Sequence, residues 1–152
     1  MPDKNLSRDP ARTPMQWDAT DHSGFSQTKP WLRVDKSFKR INVEAQKNDS
    51  HSMLTFYKKL IALRQQELSL KAGNYVPVHA DPQVISFIRE AENESRFLIV
   101  LNLSHKPCYF SPKNIQINGE IILATIPEVE GEKVGNNINL SGDEGVIIKL
   151  EN

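Results

Sequence analysis

The 152 residues predict an α+β chain in which a polar, loop-rich stretch leads into one helix and then into a small antiparallel β-sandwich. Three observations carry this expectation. Residues 1–50 show little periodicity and are dense in Pro, Asp, Ser, Thr and Gln. Residues 50–66 repeat apolar side chains at helical spacing. From residue 74 onwards, short runs rich in Ile, Val, Phe and Tyr alternate with turn-formers.

The loop stretch is not the composition of a disordered tail, because it carries Met15, Trp17, Phe25, Trp31 and Phe38, including both tryptophans of the protein. Rings of that size normally need an apolar surface against which to lose water. The surface they require is larger than the segment can provide. In the helix, Asn48, Asp49 and Ser50 offer N-cap oxygens. Met53, Phe56, Tyr57, Leu60, Ile61 and Leu63 then form a stripe expected to face a core. Gly73 marks the turn that follows.

Strands are expected at residues 74–80, 84–90, 97–103, 108–111, 120–126 and 146–151. Pro77 cannot donate to a ladder and belongs on an edge or a bulge. Ile85 and Phe87 alternate with Ser86, the pattern of a strand with Ile85 and Phe87 on its buried face. The unbroken apolar run from Phe97 to Val100 suits a central strand covered on both sides. Loops, helix and sandwich in this order make a poor independent domain, since the helix and the loop aromatics lack partners. A segment of a larger fold is the expectation.

Charge and cysteine content exclude several functions. The 19 basic and 19 acidic side chains cancel, which gives no electrostatic reason to expect nucleic acid or an anionic membrane as a partner. Cys108 is the sole cysteine, so neither an internal disulfide nor a Cys-based zinc site is expected. His22, His51, His79 and His105 lack ligand spacing and read as structural or solvated, with no metal site expected. The polar residues 1–6 do not resemble a signal peptide, and no apolar run approaches the roughly 20 residues of a membrane helix. Asn-x-Ser/Thr patterns at Asn5, Asn48, Asn93, Asn102 and Asn139 matter only for a secreted chain. The compartment stays open, with the cytosol favoured.

The informative motif is Ser7-Arg8-Asp9-Pro10-Ala11-Arg12-Thr13-Pro14-Met15-Gln16-Trp17-Asp18. Two prolines fix φ and push the residue before each out of the helical region, so the segment should be a stiff loop. Arg8 and Arg12 bracket Asp9. One guanidinium can be held by a local ion pair, while the other is left to donate to sugar hydroxyls or to a carboxylate that contacts sugar. A salt-bridged surface loop with no ligand is the plain alternative.

This motif resembles the signature found late in the catalytic barrel of α-glucosidases, oligo-1,6-glucosidases and sucrose isomerases, which are family 13 glycoside hydrolases of the α-amylase superfamily. Further along, His22-Ser23-Gly24-Phe25-Ser26, Lys29-Pro30-Trp31-Leu32 and Ile41-Asn42-Val43-Glu44-Ala45-Gln46 are similar to successive steps of the same family. The helix from Phe56 to Arg64 resembles its last barrel helix. The run from Phe97 to Leu103 resembles the central strand of its C-terminal β domain. The resemblance implies that residues 1–70 are the end of a (β/α)8 barrel and residues 71–152 a C-terminal β-sandwich.

It also implies a parent enzyme that removes terminal α-linked glucose from malto- or isomalto-oligosaccharides with retention, using a carboxylate nucleophile and a carboxylic acid. The family's catalytic carboxylates lie in motifs upstream of the matched segment, so no catalytic residue and no cofactor is expected in this chain. What it could contribute is an arginine against the non-reducing-end glucose, Arg8 or Arg12, with Arg8 placed ahead. Met15, Gln16 and Trp17 read as packing around the loop. The expected partners are an α-glucoside oligosaccharide, in the full-length context, and the missing barrel portion. A non-catalytic sandwich that packs, binds glycan or supports a partner is the competing reading; calorimetric titration with maltose separates the two.

Overall fold

The computed structural model describes residues 8–78 and 82–151 and divides into two units, Met1–Phe56 and Tyr57–Asn152. In the first, the expected loops are punctuated by short 3₁₀ turns at Asp9–Arg12, Asp21–Gly24 and Lys36–Lys39, and by one short helix, α1 (Val43–Lys47). The Asn42 side chain caps α1, accepting from Ala45 N–H at 2.8 Å while its amide donates to Phe38 O at 2.8 Å. With a partner for each of its two polar atoms, that side chain tolerates burial.

Helix α2 (Met53–Gln66) starts three residues later than the sequence suggested. Asp49 closes a turn onto His51 N–H instead of capping, and Ser52 Oγ takes the capping place by accepting from Thr55 N–H at 3.1 Å. Gln46 Oε1 accepts from Leu54 N–H at 3.0 Å, so another orphan donor of the first turn is met by a side chain. The expected core-facing stripe is a correction: α2 has no buried residue, and Met53, Tyr57 and Ile61 are largely exposed. Of the stripe, Leu63 packs against a buried cluster, that of Leu70, Phe97 and Ile99.

In the second unit, α3 (Leu68–Ala72) precedes eight strands among the described residues: β1 (Asn74–Pro77), β2 (Val84–Glu90), β3 (Phe97–Asn102), β4 (Cys108–Phe110), β5 (Gly119–Ala124), β6 (Lys133–Val134), β7 (Ile138–Leu140) and β8 (Gly145–Leu150). An antiparallel six-stranded sheet in the order β1-β2-β3-β8-β5-β6 is joined by a two-stranded β4-β7 ribbon. Pro77 does lie on an edge strand, as its missing N–H requires. Of the strand expected at 74–80, the last two positions lie outside the described residues.

β3 explains its own composition. Leu98 and Val100 enter the main core together with Phe110, Ile138 and Leu140 of the ribbon, while Phe97 and Ile99 point the other way, towards Leu70. The sheet is therefore apolar on both faces, and its central strand is buried at every position except half-buried Leu101. β2 corrects the alternation read from sequence: Val84, Ser86 and Ile88 face the main core, whereas Ile85 is exposed and Phe87 half-buried. Ser86 tolerates burial because its hydroxyl donates to Val78 O at 3.1 Å. Phe87 stacks at a tilt on Tyr75, with ring centroids 4.9 Å apart.

Candidate functional site

The candidate site is the loop of residues 8–18. Arg8 stands at the N-terminal boundary of the Asp9–Arg12 turn and Arg12 in its last position, and both side chains are exposed. In 3₁₀ geometry, side chains three apart eclipse. The spacing of Asp9 and Arg12 is that of side chains on one face of such a turn. Pro14 is buried and closes the arginine-bearing stretch.

Beyond Pro14, the backbone of residues 15–18 is held from two sides. On one side the helix α1 start reaches it: Val43 N–H donates to Gln16 O at 2.9 Å and Glu44 N–H to Trp17 O at 3.0 Å. On the other, Ser23 O accepts from Trp17 N–H at 2.9 Å and Asp18 N–H at 3.2 Å, while the single Ser23 hydroxyl hydrogen has His22 O at 2.6 Å and Met15 O at 3.2 Å as acceptors. Orphan N–H groups at a helix start and a fully buried serine thus turn a loop into a fixed segment. Met15 and Trp17 project outwards from it, each about half exposed (49% and 50%), while Gln16 points inward and Ser37 Oγ donates to its Oε1 at 3.5 Å. The expectation that the loop aromatics need a further surface fits these exposures, and Trp31 is more open still at 86%.

The Ser23 grip depends on a backbone that side-chain-bearing residues rarely adopt. His22, Ser23 and Gly24 are successive left-handed residues, with φ of 56°, 58° and 66°. At Gly24 the conformation is unstrained, and a side chain there would also meet Asp18: a Cβ would lie 2.5 Å from Oδ2. Asp18 Oδ1 accepts from Thr20 N–H at 2.8 Å and also from the Thr20 hydroxyl. These bonds to the ionised form hold the Asp18 carboxyl below its ordinary pKa. An open cleft of about 710 Å³ lies beside the turn, lined by Thr20, Asp21, His22, Gly24, Phe25, Ser26 and Gln27.

The structure therefore places Arg8 and Arg12 on one exposed turn and shows how the segment that follows it, residues 15–18, is fixed. Sequence reasoning did not find the holding groups Asp18, Ser23, Gly24 and Asn42. Gly24 was the one available signal, since a glycine inside a polar turn often marks positive φ. Among the described residues, no group of three or more His, Cys, Asp or Glu side chains could hold a metal ion, and no helix is long and apolar enough to cross a membrane.

Comparison with known proteins gives the site a context. Residues 1–73 match the family described as alpha amylase, catalytic domain. The chain is 37% identical over 127 residues to the probable oligo-1,6-glucosidase 3 of Bacillus subtilis (strain 168), covering 83% of this chain and 23% of that protein. It is 33% identical over 146 residues to the oligo-1,6-glucosidase of Bacillus cereus, covering 95% and 26%. Among solved structures, isomaltulose synthase from Klebsiella sp. LX3 superposes with a TM-score of 0.87 at 29% identity, over 95% of this chain and 26% of that one. The chain spans about a quarter of the length of the relatives it matches.

Proposed function

Because the chain belongs to the α-glucosidase and oligo-1,6-glucosidase group of family 13 glycoside hydrolases, in the α-amylase superfamily, we propose that it is the C-terminal portion of a retaining hydrolase of terminal α-linked glucose. In this reading residues 1–70 complete a (β/α)8 barrel and residues 71–152 form the sandwich that follows it. The catalytic-domain match over residues 1–73 supports that division. The substrate class is malto- or isomalto-oligosaccharide, and the rest of the barrel is the partner.

The observation that carries the reading is the exposed Arg8–Arg12 turn, followed closely by a segment, residues 15–18, whose backbone is hydrogen-bonded on both sides. Active sites of such barrels sit on loops at the C-terminal ends of strands. An arginine held in place there can donate to hydroxyls of the non-reducing-end glucose without ordering itself at each encounter. Arg8 is placed ahead of Arg12 for the sugar contact, and both side chains are exposed. The nucleophile and the general acid, about 5–5.5 Å apart in retaining enzymes, come from outside this chain.

The test is a chimera in which this chain replaces the matching quarter of the Bacillus cereus oligo-1,6-glucosidase. An aryl α-glucoside is expected to be hydrolysed by the chimera and not by the purified 152 residues. In the chimera, Arg8→Ala is expected to raise KM by more than Arg12→Ala. Turnover by the isolated chain sinks the proposal.

A further inference from the structure

The hydrogen bonds around residues 18–23 close a circuit. Asp18 Oδ1 accepts from Thr20 N–H at 2.8 Å, Thr20 O accepts from Ser23 N–H at 3.0 Å, and Ser23 O accepts from Trp17 and Asp18 N–H. Inside the circuit the chain runs through three left-handed residues, two of them not glycine. Such a turn persists only where its surroundings over-determine it. The Asp18 carboxylate both ties down Thr20 and fills the space above Gly24 that a Cβ would occupy.

We propose that Asp18 is a positioning residue: its carboxylate locks the left-handed turn of residues 22–24, and through Ser23 O the turn fixes the end of the loop that carries Arg8 and Arg12. The inference rests on the reading that this loop contacts the substrate sugar. Asp18 itself touches no substrate in this account. Its effect passes along a backbone already constrained by buried Pro14 and by the Val43 and Glu44 N–H groups.

In the chimera described above, Asp18→Ala is expected to raise KM and lower kcat/KM for an aryl α-glucoside by between about tenfold and a hundredfold, the range of a misplaced binding group. Asp18→Asn should retain most activity, because its amide oxygen still accepts from Thr20 N–H. In a background where Arg8 and Arg12 are both alanine, Asp18→Ala should add no more than about twofold, since the groups it positions are gone. Wild-type kinetics for Asp18→Ala, alongside a loss in the double arginine variant, overturns the lock. A full additional loss in the arginine-free background also overturns it, because the residue then acts on folding alone. A silent double arginine variant overturns instead the sugar-contact reading beneath it. If the Asp18→Ala chimera is not recovered folded, Thr20→Ala at an exposed position decides: a rise in KM of roughly threefold, the worth of one hydrogen bond, supports the lock and no rise overturns it.

Discussion

His105 and Asp143 face each other at 2.8 Å across two exposed turns, with the Asp143 N–H also bonded to Ser104 O at 2.9 Å. The hydrogen bond and charge of Asp143 raise the imidazole pKa above its ordinary 6.5. A raised value means that the pair's contribution is complete below about pH 6.5 and is lost as pH rises through the folded value. Asp18 has the opposite sign: its lowered pKa makes its contribution complete above 3.8 and lost on acidification through the folded value. An NMR titration should find His105 above 6.5, and Asp143→Asn should return it to the ordinary range; an unchanged midpoint in that variant contradicts the assignment. The His105–Asp143 pair was not legible in the sequence, because its members are 38 positions apart. Arg8 and Arg12 were legible, since the motif that bears them is contiguous. The groups that hold their loop were not, because Ser23 and Val43 act through backbone atoms that any residue has.

Strand β3 shows why a continuous apolar run identified a central strand. Its odd and even side chains enter two different clusters, so both faces need apolar residues. Leu98 is fully buried in the main core, and Leu98→Ala should cost about 2–5 kcal/mol in denaturant unfolding of the chain. A loss below the cost of a surface change would place Leu98 outside the core. The same two-sided burial defeated the alternation argument in β2, where apolar side chains occupy both sets of positions and periodicity alone cannot choose the face. Strands β6 and β7 escaped notice because they have two and three residues and border a Gly- and Asn-rich turn. Helix α2 was found by its stripe, yet its burial was misjudged: spacing shows that a face is apolar and says nothing about whether its partner belongs to the same chain.

The two units differ in what they bury. The second has a main core of Val84, Ile88, Leu98, Val100, Phe110, Ile121, Ile138, Ile148 and their neighbours, whereas among the described residues of the first the buried ones are Pro14 and the polar Ser23, Asn42 and Ser52. Apolar burial is the main source of stability. Amide exchange should therefore show stronger protection across β2, β3 and β8 than across residues 8–50, and equal protection would contradict the division. Half-exposed Met15, Trp17 and Phe25, with the more open Met53 and Trp31, should bind an apolar dye and promote association as concentration rises. Those side chains are expected to become covered when the remaining barrel is supplied. The activity of the chimera with the Bacillus cereus oligo-1,6-glucosidase tests that completion most directly. Hydrolysis of an aryl α-glucoside is expected from the folded chimera and none from the 152 residues alone. A folded chimera without activity, or turnover by the isolated chain, would contradict it.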